Sequence, residues 1–131
     1  MAKVKILFDS HALVWYLRGD RRLSRQAREI ADNLDSEVFI SAVCVWEMAT
    51  KVKKGRWPEA AQIVNSLHEI TLARTFTALP ITIEHARVAG FLSGQHSDPF
   101  DRMLAAQSQV EGIPLVSADP AFRSFGTSVI W

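Results

Sequence analysis

A single cysteine, Cys44, stands among the 131 residues, so no internal disulfide can form and a reducing compartment is expected. No Cys–His grouping has the spacing of a zinc site. Surplus charge is absent too. Fifteen Lys and Arg against 14 Asp and Glu leave a formal net charge of +1, so only local clustering could point to a nucleic-acid partner. Lys3 and Lys5 precede no apolar signal core, and no apolar run approaches the roughly 20 residues of a membrane span. The expectation is a soluble, cytoplasmic protein with no membrane partner. Linkers, internal repeats and low-complexity tracts are also missing, which leaves one domain over residues 1–131. What is present, 48% hydrophobic and 22% charged residues, is enough for a core that needs neither disulfide nor structural metal.

Val4-Lys5-Ile6-Leu7-Phe8 is short, apolar and partly β-branched, and reads as a buried strand ending on the carboxylate of Asp9. A helix follows from Ser10 to Leu17, and Gly19-Asp20 breaks it. Leu23, Ala27, Ile30, Ala31 and Leu34 recur at helical spacing behind a Ser24 N-cap, with Arg21, Arg22, Arg25 and Arg28 as a solvated outer face. Glu37–Ile40 is a second strand, and Ser41 caps a helix from Ala42 to Lys54 that stops at Gly55. Pro58 opens a helix with Ala60, Ile63, Val64, Leu67 and Ile70 on one side. Thr75–Pro80 is a less apolar strand, expected near an edge, and Thr82 caps a helix to Leu92. After a polar loop, Asp98-Pro99 opens a helix to about Val110, ended by Gly112. Ile113–Val116 is a strand, Asp119-Pro120 starts a helical turn, and Ser128–Trp131 closes the chain as a strand. Strands alternating with helices predict a three-layer α/β/α sandwich around a mostly parallel sheet of four to five strands.

Asp9, Asp98 and Asp119 each precede a helix, where Asp is a favoured N-cap, and Asp101 sits where a first-turn acid suits the helix dipole. Capping alone accounts for these four. Glu47 has no such account, because it lies inside the apolar stretch Ala42–Ala49. A buried carboxylate needs a partner, and Lys51 one turn on is the structural candidate. Glu47, Lys51 and Lys54 share a helical face, which also suits a metal carboxylate backed by phosphate-binding lysines. Ligand crevices in open α/β sheets lie outside the carboxyl ends of the strands. Asp9, Glu47, Asp101 and Asp119 can converge there, and such a cluster persists only if a cation neutralises it. Hard oxygen donors select Mg²⁺ or Mn²⁺, which can activate water for in-line phosphoryl displacement.

Four segments, Ile6–Trp15, Ser41–Gly55 with Trp46-Glu47, His96–Gln107 with Asp98-Pro99-Phe100-Asp101-Arg102, and Leu115–Phe122, resemble the PIN-domain ribonuclease toxins of type II VapBC toxin–antitoxin systems. By that resemblance the fold is PIN-like, a variant of the Rossmann-like plan. Asp9, Glu47, Asp101 and Asp119 match the family's acidic quartet, as catalytic residues and ligands of Mg²⁺ or Mn²⁺. Asp98 matches a supporting acid. Ser10 stands where these toxins usually carry threonine, and Ser117 keeps a hydroxyl near the last acid. The resemblance further implies endoribonuclease activity on an RNA substrate, inhibition by a cognate VapB-like antitoxin, a homodimer, and contact with operator DNA only through the antitoxin.

Lys51, Lys53, Lys54 and Arg56 form the only dense basic run, read as a phosphate-backbone contact in preference to a merely solvated face, with Lys51, Lys54 and Arg56 as RNA or antitoxin contacts. Arg102 clamps a phosphate or a partner carboxylate, or else forms a structural salt bridge. His11 is a packing or capping imidazole or one that orients Asp9; His96 is placed to touch substrate, and His68 and His85 at the surface. Trp15, Trp46 and Trp57 are core or interface groups, with base stacking open only to one exposed beside the acids. Two other readings remain: a non-catalytic interaction module, and a phosphoacceptor signalling domain. The second would need a late lysine, and none follows Lys54.

Overall fold

Strand β1 (Val4–Phe8) is the central strand of a five-stranded, all-parallel sheet of order β3-β2-β1-β4-β5, with β2 at Ser36–Ser41, β3 at Thr77–Leu79, β4 at Leu115–Val116 and β5 at Val129–Ile130. The computed structural model describes residues 4–94 and 98–131; His96 and Lys3 lie outside the described residues. Ile6, Leu7 and Phe8 are fully buried, as a strand with neighbours on both sides and helices on both faces requires. Connections from β1 through β2 to β3 run outward in one direction, and the chain then returns to lay β4 along the other side of β1. The order therefore reverses between β1 and β4. Leu7 pairs with Leu115 and Phe8 with Val116 at this switch point, and the Asp9 amide donates to the Val116 carbonyl at 3.1 Å.

Helix α1 (Ser10–Arg18) ends on Gly19, whose φ of +65° is the left-handed conformation that suits glycine. Helix α2 (Arg25–Asp32) is capped by the Ser24 hydroxyl, and α3 (Ala42–Lys53) by Ser41. Pro58 opens a 3₁₀ turn over Pro58–Ala60, followed by α4 (Ala61–Asn65) and α5 (Leu67–Ala73). Helix α6 (Ile83–Phe91) starts at Thr82, and α7 (Pro99–Glu111) at Asp98. The short α8 (Ala121–Ser124) links β4 to β5. Among the described residues no helix is long and apolar enough to cross a membrane.

Several sequence expectations shift. Leu34 is 98% exposed, because α2 ends at Asp32 and the helical stripe stops before it reaches that position. The helix expected from Pro58 is broken at Ser66. Thr75 turns with φ +57°, so β3 begins only at Thr77; it does lie at the sheet edge. The largest departure is His85, expected at the surface and fully buried. Its Nδ1 accepts from the Thr82 amide in a capping box, which leaves Nε2–H to donate to Glu111 at 2.8 Å. Gln107, also fully buried, accepts from the Ser41 hydroxyl and donates to the Pro80 carbonyl, tying α7 to the start of α3.

Candidate metal centre

Asp9 leaves the carboxyl end of β1 and caps α1, its Oδ1 accepting from the Ala12 amide at 2.7 Å. The same turn buries Ser10, whose hydroxyl donates to Glu47 Oε1 at 2.6 Å. Glu47, on the buried side of α3 with Val43, Cys44 and Met48, receives its second partner from Lys51 Nζ, 2.6 Å from Oε2. The carboxylate is thus paired on both oxygens yet turned into a cavity rather than into the core. Asp98 opens α7, accepting from the Phe100 and Asp101 amides, and Asp101 follows in the first turn. Beyond β4, the Ser117 hydroxyl accepts from the Asp119 amide and donates to Asp9, while Asp119 accepts from the Ala121 amide.

These elements enclose a cavity of about 450 Å³ at the switch point, and Asp9, Glu47, Asp98, Asp101 and Asp119 all line it. Glu47, Asp98 and Asp101 each bring a carboxylate oxygen to within 4.8 Å of the other two. The acid read as supporting, Asp98, is therefore in the tightest group, whereas Asp9 borders it and the exposed Asp119 closes the rim. Burial lifts the Asp9 carboxyl from its ordinary 3.8 to about 7, opposed by the Ser117 and Ala12 hydrogen bonds and helped by the negative charges of Glu47 and Asp101. A carboxyl whose ionised form is disfavoured first by burial and then by two neighbouring acids sits in a site short of positive charge. Clustered carboxylate oxygens fit a hard divalent ion and suit neither a soft metal nor a proton relay through cysteine. Cys44 lies beneath them, its thiol held protonated by burial and donating to the Phe8 carbonyl.

Lys51 also lines the cavity. Lys54, the C-cap of α3, and Arg56 beyond it are exposed and do not border it; Lys53 is exposed likewise. Arg102 turns elsewhere, donating to the Leu92 carbonyl at 2.5 Å with its guanidinium over Phe125. Among the tryptophans, Trp57 is buried, Trp15 is half-buried at the cavity wall, and Trp46 is 60% exposed with its ring edge-on to Phe100. His11, exposed at the cavity wall, lies flat on Trp57 at 4.4 Å rather than against Asp9. Partial burial and the Lys51 ammonium lower its pKa, against the upward pull of Glu47 and Asp119.

A family model described as PIN domain matches residues 6–127. No curated protein matches the sequence. Among solved structures, VapBC2 from Rickettsia felis bound to a DNA fragment from its promoter is similar with TM-score 0.71 and 17% identity, over 98% of this chain and 99% of that one. A toxin–antitoxin complex from Klebsiella pneumoniae gives TM-score 0.65 and 19% identity over 96% of each chain. VapC20 from Mycobacterium tuberculosis, a toxin that cleaves the sarcin–ricin loop, gives TM-score 0.66 and 16% identity over 93% of this chain and 95% of that one. With the match running from the buried core of β1 to the turn before β5, the chain belongs to the PIN domain family.

Proposed function

We propose that this protein is the toxin of a VapBC-type toxin–antitoxin pair, a cytoplasmic endoribonuclease dependent on Mg²⁺ or Mn²⁺. The observation that carries this reading is the convergence of Glu47, Asp98 and Asp101, with Asp9 and Asp119 around them, in one cavity at the sheet's switch point. Glu47, Asp98 and Asp101 would hold the ion with Asp9 beside them, and Asp119 at the rim would orient water. Such an ion supplies activation of water and charge neutralisation at a phosphorus undergoing in-line displacement.

The chain's own residues prepare that chemistry. Ser10 and Lys51 hold both oxygens of Glu47 and fix its carboxylate at the cavity wall. Ser117 and the first turn of α1 fix Asp9 in the same way. Lys51, at the wall, draws a phosphodiester toward the acids, and Lys54 and Arg56 extend this attraction over the adjoining surface. A cognate antitoxin covers the cavity, and operator DNA is reached through the antitoxin; the similar structures solved as toxin–antitoxin complexes or on promoter DNA support this pairing. The exposed Ile83 and Phe91 on α6 supply an apolar surface for a second copy in a homodimer.

The test incubates antitoxin-free protein with total RNA in Mg²⁺ or Mn²⁺, beside Asp9→Ala and an EDTA control. Discrete fragments are expected from the wild type alone, and only with metal. Equal cleavage by wild type and Asp9→Ala, or cleavage that persists in EDTA, would overturn the reading.

A further inference from the structure

An acid-lined cavity is a poor host for a polyanion. Among the described residues one lysine borders it, Lys51, which is already paired with Glu47, and the chain's net charge is only +1. A nucleic-acid strand therefore needs a second source of affinity close to the acids, and the wall beside Lys51 has one. His11 is exposed there, its imidazole lying on the indole of Trp57 at 4.4 Å and 27°. Trp57 is itself buried, 7% exposed, so the support beneath the imidazole is fixed. Lys51 Nζ lies 5.6 Å from the Trp57 ring centroid while it pairs with Glu47, which ties this stack to the acid group. Among the described residues His11 has ring contacts only, with Trp57 and with Trp15 at 6.0 Å, and no hydrogen-bond or ion-pair partner.

We infer that His11, backed by Trp57, is a stacking platform for one unpaired nucleobase beside the scissile phosphate. The inference rests on the nuclease reading and deepens it. A flat ring with two free nitrogens accepts the face of any base and can also meet a base edge, and a duplex keeps its bases from it. Trp46, although exposed, does not border the cavity. His11 is thus a binding residue, distinct from the acids.

The test uses fluorescein-labelled single-stranded RNA 12-mers and an abasic oligomer of equal length and charge. Binding to the full chain is read by anisotropy in EDTA, where no cleavage intervenes, for wild type, His11→Ala and His11→Phe. Expected are tighter binding of the base-bearing strand by the wild type, and a loss of about 5- to 150-fold in His11→Ala confined to that strand. Recovery in His11→Phe, which restores a flat ring, is expected too. In Mg²⁺, His11→Ala should raise KM and leave kcat near the wild-type value. Equal affinity of the wild type for both oligomers, an equal loss on both in His11→Ala, or no recovery in a folded His11→Phe would each overturn the platform. A cavity that serves only an antitoxin side chain would give that first result. Asp9-dependent cleavage indifferent to His11 removes the platform and leaves the nuclease; base-dependent binding without metal-dependent cleavage removes the nuclease instead.

Discussion

Replacing Asp9 by Asn separates its charge from its capping role. Asn and Asp cap helices about equally, so the bond from the Ala12 amide survives and only ionisation is lost. The Asp9 carboxyl has its pKa raised from 3.8 to about 7, chiefly by burial. Between those values the unfolded chain is ionised at this residue while the folded chain still holds the proton. Folding stability then falls as pH rises, by about 1.4 kcal/mol per pH unit, and levels off above pH 7. Fully ionised, the buried group costs on the order of 4 kcal/mol, of which roughly 2.5 kcal/mol accrues between pH 5 and pH 8. Asp9→Asn does not titrate, so without metal it should gain on the wild type by that amount across the interval. For a chain of this size that is roughly 10 °C in Tm. The assay is thermal unfolding in EDTA at both pH values, with RNA cleavage in Mg²⁺ measured beside it. Expected are a mutant that is more stable at pH 8 and inactive, and Mg²⁺ that raises the wild-type Tm at pH 8 more than the mutant's. A wild-type-to-mutant difference in Tm that is the same at pH 5 and pH 8, or a mutant that cleaves normally, would refute the reasoning.

Ser10→Ala removes the donor to buried Glu47 Oε1 and should cost about 1.5–3 kcal/mol in urea unfolding, with a fall in kcat, while Ser10→Thr keeps both. His85→Ala leaves the Thr82 amide and Glu111 without their partner and opens a cavity between α6 and α7, so unfolding should show a loss of about 2–4 kcal/mol. Cleavage per folded molecule should not change, because His85 does not border the acids. Phe91→Glu, placed on the exposed side of α6, should turn a dimer into a monomer in light scattering with activity per chain retained; an unchanged dimer mass removes α6 from that interface.

Elements whose boundaries follow from local chemistry were legible in the sequence. Caps at Ser24, Ser41, Thr82 and Asp98 and stops at Gly19, Gly55 and Gly112 act within a few residues, so reading along the chain finds them. Leu34 was misplaced because its spacing matches the stripe of α2, whereas the helix ends before reaching it. His85 was missed for a different reason. Its burial depends on Gln107 and Glu111, more than 20 residues on, and no spacing rule links those positions. Glu47 showed itself because a carboxylate inside an apolar helix is a local contradiction. Its first partner, Lys51, was visible one turn away, but Ser10 lies 37 residues back and only the parallel sheet brings it there. That Asp98 lies within 4.8 Å of Glu47 and Asp101 was not visible in the sequence, because its role as an N-cap already accounts for a carboxylate there.

The arrangement around Glu47 explains why the site is built across β1, β4 and two helix starts rather than on one element. Helix α3 buries Val43, Cys44 and Met48 on the face that also carries Glu47, so the acid is drawn inward by its neighbours. Lys51 supplies one countercharge from the same helix. Lys54, the C-cap of α3, is exposed and does not border the cavity, so it leaves the negative charge of the acids in place. The neutral hydroxyl of Ser10 satisfies the other oxygen without adding charge, and Ser117 does the same for Asp9. Two serines at the carboxyl ends of adjacent strands thus hold two acids in place while the negative potential is kept. That excess charge destabilises the metal-free fold, and the buried centre formed by Ile6, Leu7, Phe8, Leu115 and Val116 offsets it. Stability of the free protein and affinity for a dication should therefore move in opposite directions when Asp9, the acid whose ionised form burial disfavours, is neutralised.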